Sequence, residues 1–197
     1  MPNNDSLFEN IYSAFLSAIE KYRLVETGDR VAVCVSGGKD SMLASLFFKR
    51  YAAENPNVTV RYICMDPGYN AENRKMIELN AEKLGIPLDI FETQIFDSVV
   101  RIEKSPCYLC ARMRRGWLYR KAKEAGCNKI ALGHHFDDVT ETVLMSTLYS
   151  GQYQTMLPVI DSTNFEGMRL IRPLYLVRER DIIRWRDENG LCFLRCA

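Results

Sequence analysis

The amino-acid sequence predicts a single α/β domain with a doubly wound, mainly parallel sheet flanked by helices. Apolar runs rich in β-branched residues alternate with segments of helical apolar spacing, which is typical of strands joined by right-handed helical crossovers. A chain of 197 residues is long enough for the core of one such domain. Its content of 47% hydrophobic and 26% charged residues is ordinary for a globular protein. No linker, internal repeat or low-complexity segment indicates a second domain.

The predicted elements begin with a helical extension over residues 1–29, and residues 30–197 are expected to form the domain itself. The sheet is expected to have five strands, at 30–35, 58–65, 88–93, 129–133 and 168–173, followed by a last short strand at 191–195. Helices are expected at 41–51, 70–84, 107–125, 137–149 and 178–188, and a loop at 151–167. Ligands of such sheets bind at the carboxyl ends of the strands, so the residues that follow each strand are candidates for a site.

The glycine-rich segment Ser36-Gly37-Gly38-Lys39-Asp40-Ser41 lies at the predicted turn from the first strand into a helix. Its two glycines lack the Cβ atoms that would keep a ligand from the backbone, and the N–H groups of an opening helical turn are unpaired. Together they would form an anion cradle, best suited to phosphate. Lys39 adds a positive charge, and Asp40 could hold a magnesium ion that bridges phosphates. The alternative is a plain Gly-Gly turn with a helix cap.

A Cys-x-x-Cys pair, Cys107 and Cys110, is the second motif that carries chemistry. At the start of a predicted helix this spacing puts both sulfurs on one face, where the helix N-terminus favours thiolates. Three kinds of site fit the pair: an iron–sulfur site, a zinc site completed by Cys192 and Cys196, or a redox dithiol. A redox pair usually follows a strand directly, whereas a polar segment precedes this one.

Polar residues also follow the second and fourth predicted strands. The segment Gly133-His134-His135-Phe136-Asp137-Asp138 invites a metal interpretation, but its spacing is not specific for zinc. Asp137 or Asp138 could instead cap the next helix. Asp66 is either a turn residue in Asp-Pro-Gly or a nucleotide contact. No general base can be identified from the sequence.

Composition and charge narrow the class of protein. No apolar run reaches the roughly 20 residues of a membrane span, and the first residues do not resemble a signal peptide. We therefore expect a cytoplasmic protein without a membrane partner, whose seven cysteines are thiols or metal ligands rather than disulfides. Cys34 and Cys64 lie in predicted strands and are expected to be core residues.

The net charge of +1 does not by itself indicate nucleic-acid binding, but the predicted helix after the cysteine pair is basic. Arg112, Arg114 and Arg115 follow the pair directly, with the aromatic residues Tyr108, Trp117 and Tyr119 interleaved. Such a surface could hold phosphates and stack an unpaired base.

The segment SGGKDS resembles the pyrophosphate loop of the N-type ATP pyrophosphatases, and a Walker loop is excluded by Val33 and Asp40. The segments PCYLCARMRRGWLYRKAKEAG, KIALGHHFDDVTET and IRPLYLVRERDI are similar, in sequence and in order, to the tRNA 2-thiocytidine synthetase (tRNA-cytidine 2-sulfurtransferase) family, over about residues 31–196. The resemblance implies an adenine nucleotide alpha hydrolase-like fold. It implies an enzyme that uses ATP to adenylate O2 of a cytidine in a tRNA anticodon loop and then replaces that oxygen with sulfur.

The same resemblance implies roles for individual residues. A 4Fe–4S cluster would be held by Cys107, Cys110 and Cys196, without Cys192, which leaves one iron open to carry sulfur. Lys39 and Asp40 would be catalytic together with the cysteine pair, and Arg112, Arg114 and Arg115 would contact tRNA. ATP and Mg²⁺ would be bound by Ser36, Gly37, Gly38, Lys39, Asp40, Ser41, Asp66, His134 and Asp138.

The implied partners are tRNA as substrate and a sulfur donor system such as a cysteine desulfurase, and a homodimer is compatible with the resemblance. Two rival functions stay open. The first is the same ATP chemistry on a small molecule or another RNA. The second is a nucleotide-binding module without turnover, stabilised by zinc on Cys107, Cys110, Cys192 and Cys196.

Overall fold

The structure is a computed structural model that describes residues 5–93 and 106–194, with only the backbone described for Asp5 and residues 106–112. The helices of this part are α1 (Asp5–Lys21), α2 (Lys39–Glu54), α3 (Ala71–Leu84), α4 (Pro106–Glu124), α5 (Phe136–Ser150) and α6 (Glu179–Glu188). Its strands are β1 (Arg30–Val35), β2 (Thr59–Asp66), β3 (Leu88–Glu92), β4 (Lys129–Ala131), β5 (Val159–Asp161) and β6 (Arg169–Ile171). None of the helices in these ranges is long and apolar enough to cross a membrane.

The strands form one sheet in the order β3-β2-β1-β4-β6-β5. All neighbouring pairs are parallel except β5 and β6, which are antiparallel. The chain thus winds outward in both directions from β1, and the predicted doubly wound, mainly parallel sheet is confirmed.

The number of strands was wrong: the sheet has six, not five. The additional strand, β5, lies inside the segment 151–167 that was expected to be a loop. A strand of three partly exposed residues is too short to show an alternating apolar pattern in the sequence. It forms because its backbone can pair with that of β6. The predicted strand at 191–195 is also wrong for residues 191–194, which form neither strand nor helix.

Side chains of β1 alternate between two apolar layers, as the period of a strand requires. Val31, Val33 and Val35 belong to the layer that includes α1 and α2, and Ala32 and Cys34 belong to the layer on the side of α4. Both layers are buried, so the central strand is apolar on both faces.

Helix α1 packs in the same core as the sheet. Phe15 is fully buried, and its ring lies 5.4 Å from that of Phe47 and 5.3 Å, edge-on, from that of Phe48. Aromatic pairs of this kind bury large apolar areas, so α1 contributes to the stability of the domain.

Three of the cysteines are core residues, including the two expected to be so. Cys34, Cys64 and Cys127 are buried free thiols. Burial raises the pKa of Cys34 and of Cys64 to about 12, and it also raises the pKa of Cys127. Thiols that stay protonated are poor nucleophiles and poor metal ligands, so their role is packing.

Candidate functional site

The loop from β1 to α2 holds the glycine-rich segment at the carboxyl edge of the sheet. Gly37 has φ +83°, a conformation that favours glycine. A Cβ atom on Gly37 would lie 2.7 Å from Ile77 Cγ1 and 2.9 Å from Leu194 Cδ1, so the position also lacks space for a side chain. Gly38 is the N-cap of α2 and has no side chain to cap the first turn. The opening N–H groups of α2 are thus placed as an anion cradle requires.

Two serines brace this loop. The Ser36 N–H donates to Ser41 Oγ at 3.1 Å, and Ser41 Oγ donates to the Gly38 carbonyl at 3.0 Å. The two hydroxyl oxygens are also 3.1 Å apart. These bonds close the loop on itself and hold its backbone in one shape.

Lys39 is held by two carboxylates. Its Nζ lies 2.9 Å from Glu179 Oε1 and 3.2 Å from Asp40 Oδ2. Burial lowers the pKa of Lys39, but the hydrogen bond to Glu179 and the charge of Asp40 outweigh burial, so the pKa lies above its usual value. The hydrogen bond from Lys39 lowers the pKa of Glu179. Lys39 therefore stays protonated at neutral pH, with its charge balanced by these carboxylates.

Glu179 was not singled out from the sequence, although it lies in the quoted segment IRPLYLVRERDI. It is the first residue of α6, and its N–H donates to Asp137 Oδ2 at 2.7 Å. Asp137 therefore binds the first turn of α6, a helix other than the one it was expected to cap.

Asp40 has an oxygen without a partner. Its Oδ1 is buried and makes no hydrogen bond. Burial raises the pKa of Asp40, and the charge of Lys39 offsets this only in part. A buried, unpaired carboxylate oxygen beside a phosphate cradle suits Mg²⁺, which commonly takes one or two carboxylates together with substrate phosphates and waters. No cluster of three His, Cys, Asp or Glu side chains that could hold a metal occurs among the described residues.

His135 and Asp138 cap helix α5 together. The His135 N–H donates to Asp138 Oδ2 at 2.8 Å, and the Asp138 N–H donates to His135 Nδ1 at 3.4 Å. Because Nδ1 accepts, the proton of the neutral ring is on Nε2, 3.8 Å from Asp40 Oδ1 and 4.0 Å from Glu179 Oε1. The capping alternative for Asp138 is therefore what the structure shows, and the buried ring of His135 lies beside Asp40 of the loop.

His134 faces a different partner. Arg172 Nε donates to His134 Nδ1 at 3.3 Å, and Arg172 also donates to the carbonyl of Leu157. Burial, and then the charge of Arg172, lower the pKa of His134 to about 4. His134 is thus neutral at physiological pH. Arg172, which is buried, was not identified from the sequence.

Asp66 shapes the turn after β2. Its Oδ1 accepts the N–H groups of Gly68 at 2.9 Å and Tyr69 at 2.7 Å, and its Oδ2 lies 3.3 Å from Arg74 Nη1. The carboxylate is buried, and these contacts are those of the turn residue in Asp-Pro-Gly.

The lack of a side chain on Gly133 lets the end of β4 pack against the loop. A Cβ atom at this position would lie 2.9 Å from the backbone nitrogen of Ser41 and 3.0 Å from the carbonyl carbon of Asp40. The backbone after β4 therefore packs directly on the first turn of α2, which brings His135 to Asp40.

The segment 191–194 also contacts the loop. The Leu194 N–H donates to the Gly37 carbonyl at 3.2 Å, and Asn80 Nδ2 donates to the carbonyl of Cys192 at 2.8 Å. Cys192 itself is exposed. Cys107 and Cys110 lie in the first turn of α4, but their side chains, like Cys196, are outside the described residues.

The basic face of α4 is only partly described, because the side chain of Arg112 is outside the described part of the chain. Arg115 is exposed, whereas Arg114 is half-buried and donates to the Tyr69 hydroxyl at 3.4 Å. Tyr119 is buried and stacks on Phe165 at 5.0 Å, so it is not available to stack a base.

Comparison with known proteins gives the family. The PP-loop domain matches residues 8–195. The tRNA-cytidine(32) 2-sulfurtransferase of Neisseria meningitidis is 36% identical over 98% of this chain and 61% of its own length. The enzyme of the same name from Aliivibrio fischeri is 40% identical over 91% of this chain and 60% of its own length. The enzyme of that name from Syntrophotalea carbinolica is 36% identical over 98% of this chain and 76% of its own length. The chain thus spans about three fifths of the length of the first two relatives.

Two solved structures share the fold. The U34-tRNA thiolase NcsA from Methanococcus maripaludis, solved with its [4Fe–4S] cluster, has a TM-score of 0.78 and 22% identity over 98% of this chain and 67% of its own. The NH3-dependent NAD synthetase from Campylobacter jejuni has a TM-score of 0.58 and 19% identity over 93% of this chain and 74% of its own. At these identities the two structures support the fold alone. By the domain match and its relatives, the chain belongs to the PP-loop domain family and, within it, to the tRNA-cytidine(32) 2-sulfurtransferases.

Proposed function

We propose that this chain is an ATP-dependent tRNA sulfurtransferase, which adenylates O2 of a cytidine in the anticodon loop and replaces that oxygen with sulfur. The observation that carries the proposal is the hydrogen bond from the Leu194 N–H to the Gly37 carbonyl. It joins the phosphate cradle to the segment that leads to Cys196. The names of the curated relatives support the choice of tRNA and of cytidine 32.

The ATP half of the reaction uses the loop and Lys39. The opening N–H groups of α2 and the charge of Lys39 stabilise the pyrophosphate that leaves when O2 of cytidine attacks the α-phosphorus. O2 is a carbonyl oxygen without a proton, so this step needs no general base. Asp40 would hold Mg²⁺ through Oδ1, and the bound ion would neutralise charge on the phosphates.

Three other residues that were predicted to bind the nucleotide, Asp138, Asp66 and His134, would have less direct roles in the ATP reaction. Asp138 and Asp66 would act here by shaping the backbone at the edge of the site, because Asp138 Oδ2 and Asp66 Oδ1 already accept backbone N–H groups. His134, neutral and bound to Arg172, would offer a polar surface near the cradle rather than a charge.

The sulfur half would use Cys107, Cys110 and Cys196. The first two lie three residues apart in the first turn of α4, so their side chains would leave the helix on one side. One turn later, Met113 packs with Met65 at the carboxyl end of β2, which places the start of α4 at the edge of the sheet that holds the loop. A 4Fe–4S cluster on three thiolates would supply the sulfur that displaces AMP.

Chain connectivity favours the third ligand. Cys196 follows Leu194 by two residues, and two residues span at most about 7 Å. A ligand at position 196 is therefore within reach of the loop to which Leu194 is bonded. Arg112, Arg114 and Arg115 on α4 would hold tRNA phosphates, and a cysteine desulfurase would resupply sulfur.

The test is an anaerobic assay with ATP and a tRNA that has cytidine at position 32. We expect AMP, pyrophosphate and thiolated tRNA, together with a brown protein that carries about four irons. Lys39→Ala should abolish AMP release and leave the iron bound. Cys107→Ala should remove the iron and leave ATP binding unchanged.

Cys192→Ser is the matched control, because Cys192 is exposed in the same segment as Cys196 but is not an expected ligand. A colourless protein with one zinc that is lost in Cys192→Ser would contradict the proposal and favour the zinc-stabilised module. AMP release that depends on a small molecule and not on tRNA would favour the first rival.

A further inference from the structure

Arg172 is a buried arginine without an acidic partner. It directly follows β6, at the carboxyl edge of the sheet, and is only 6% exposed. Its Nε donates to Nδ1 of neutral His134 at 3.3 Å, and its Nη1 donates to the carbonyl of Leu157. No carboxylate that the structure describes forms an ion pair with it. A buried cation normally has an anionic partner, because its removal from water is costly.

The other arginine of this strand has the usual arrangement. Arg169 opens β6, and its Nε lies 2.7 Å from Oδ1 of Asp161 on the neighbouring β5. The side chain of Arg169 is 48% exposed, so water alone could solvate its charge. The exposed arginine thus has a carboxylate, whereas the buried Arg172 has none in the described part of the chain. A buried polar group of this kind often has a role in binding or catalysis.

The groups around Arg172 are mainly hydrogen-bond donors and cations. Because arginine can only donate, His134 Nδ1 accepts, and the proton of the neutral ring is on Nε2. Among the described residues no group accepts a hydrogen bond from this Nε2. Burial lowers the pKa of Arg172, and the charge of Arg115 on α4 lowers it further. Asp138 acts in the opposite direction, but its Oδ2 already accepts the His135 N–H.

This arrangement suits a phosphate group. A guanidinium carries its N–H donors in a planar fork that matches two phosphate oxygens, and Arg172 uses only Nε and Nη1 within the protein. Its Nη2 has no partner in the described chain, and it is not among the fully buried polar atoms that lack one. A ligand can therefore reach Nη2. A metal ion would be repelled by Arg172 and Arg115, and an apolar ligand would leave the buried charge unbalanced.

The Arg172 side chain lies beside the phosphate cradle of residues 36–41. In the sheet, β4 separates β1 from β6, so the ends of β1 and β6 are two strand spacings, or about 10 Å, apart. His134 lies between them, since it follows Gly133, whose backbone packs on the first turn of α2. A phosphate at Arg172 would therefore be a neighbour of the anion in the cradle and not the same group.

We propose that Arg172, the Nε2–H of His134 and Arg115 form a second phosphate site, separate from the cradle. The position beside the cradle favours the α-phosphate of ATP, because this phosphate is bonded directly to the pyrophosphate that the cradle is expected to hold. A backbone phosphate of tRNA has the same chemistry and is the other source. Arg115 lies on the basic face of α4, where tRNA is expected to bind.

An α-phosphate at Arg172 would be stabilised in both halves of the reaction, an inference that rests on the proposed function. After pyrophosphate leaves, the α-phosphate stays bonded to O2 of cytidine. When sulfur forms its bond to C2, the C2–O2 bond breaks and its electron pair goes to the oxygen of AMP. Donors that already face this phosphate would stabilise the added negative charge without moving.

The test is calorimetric titration with AMP at saturating pyrophosphate and Mg²⁺, which keep the cradle occupied. Arg172→Gln should weaken AMP binding at least about tenfold, because a charge-assisted hydrogen bond to phosphate is lost. Adenosine lacks the phosphate, so its affinity should be the same for Arg172→Gln and the unmodified chain. Arg172→Lys keeps the charge but not the fork, and should recover part of the lost affinity.

Arg169→Gln is the matched control, because it removes an arginine of the same strand that has its own carboxylate. It should bind AMP as the unmodified chain does. Arg115→Gln changes an exposed side chain that is expected to fold normally, and it should weaken AMP binding several-fold. Thermal unfolding shows which variants are folded. If Arg172→Gln does not fold, an unchanged AMP affinity in Arg115→Gln would overturn the proposal.

A second titration, with an RNA anticodon stem–loop, separates the two sources of phosphate. If Arg172→Gln binds AMP normally but binds this RNA at least about tenfold more weakly, with a salt dependence reduced by about one ion, the site holds a tRNA backbone phosphate. Unchanged affinity of folded Arg172→Gln for both AMP and the RNA would overturn the second phosphate site. These titrations need no turnover, so AMP binding through Arg172 without tRNA thiolation would contradict the proposed function alone.

Discussion

Replacement of Gly133 by alanine tests how the site is assembled. Gly133 follows β4, and its backbone packs on the first turn of α2. The added Cβ would lie 2.9 Å from the Ser41 nitrogen, 3.0 Å from the Asp40 carbonyl carbon and 3.1 Å from the Ser41 Cα. These neighbours are backbone atoms at the start of a helix, so no side-chain rotation can relieve the contact. Either β4 or α2 has to move by several tenths of an ångström.

The expected cost follows from overpacking. Forcing one extra methyl group into a tightly packed interior typically costs about 1–3 kcal/mol. For a chain of this length each kcal/mol lowers the melting temperature by about 2–4 °C. The same movement would shift Asp40 relative to Lys39 and His135, so ATP should bind at least about tenfold more weakly, a loss of about 1.4 kcal/mol.

Thermal unfolding and calorimetric ATP titration measure the two effects. Gly116→Ala is the matched control: Gly116 is in α4, a Cβ atom added to it would have no neighbour within 4 Å, and its φ is an ordinary one. Alanine there should stabilise the helix by about 0.5–1 kcal/mol and leave ATP binding unchanged. A Gly133→Ala variant with the unfolding temperature and ATP affinity of the unmodified chain would refute the close packing of β4 on α2.

Three further predictions test the charges of the site and the core. Glu179→Gln should strengthen ATP binding several-fold in calorimetric titrations, because the phosphates would no longer compete with this carboxylate for Lys39. Asp181→Asn, in the same helical turn, is the control and should leave ATP binding unchanged. Weaker ATP binding by Glu179→Gln would instead show that Glu179 helps to bind ATP. Because the pKa of His134 is about 4 in the fold and about 6.5 in the unfolded chain, the unfolded chain binds more protons between these values, and stability should fall as pH decreases from about 6.5 to 4. In His134→Gln that part of the pH dependence should be smaller in denaturant titrations, and an unchanged slope would count against a buried neutral ring. Asp29→Asn should cost about 3–5 kcal/mol in the same titrations, because Lys129 is 3% exposed and lies 2.5 Å from Asp29; a cost below about 1 kcal/mol would mean that water reaches Lys129.

The fold was largely predictable because its strands and helices have strong local signals. β1 is a continuous apolar run between polar residues, and α3 ends where Gly85 adopts φ +62° and donates to the carbonyls of Ala81 and Glu82, as its predicted stop requires. β5 had no such signal. Its three residues pair with β6 only because the chain returns to the sheet edge, which is a tertiary effect.

The candidate site was predictable in part, and the two residues that the sequence did not indicate both lack a local sequence signature. The loop 36–41 has a local signature, since glycines and a lysine follow an apolar strand. Glu179 and Arg172 have none, because an acid at the start of a helix or an arginine after a strand occurs in most domains. Their roles depend on partners far away in sequence: Glu179 contacts Lys39 and Arg172 contacts His134.

The contacts between helix ends explain why the site needs those distant residues. The first turns of α2, α5 and α6 meet, since Lys39 binds Glu179, Asp137 accepts the Glu179 N–H, and His135 faces Asp40. Each helix N-terminus carries partial positive charge, so acids gather there to balance it. A triphosphate is also an anion and must compete with Glu179 and Asp40 for Lys39. Mg²⁺ on the unpaired Asp40 oxygen would resolve that competition, because it converts one of the competing acids into a ligand shared with the phosphates. We therefore expect ATP to bind this site weakly without Mg²⁺.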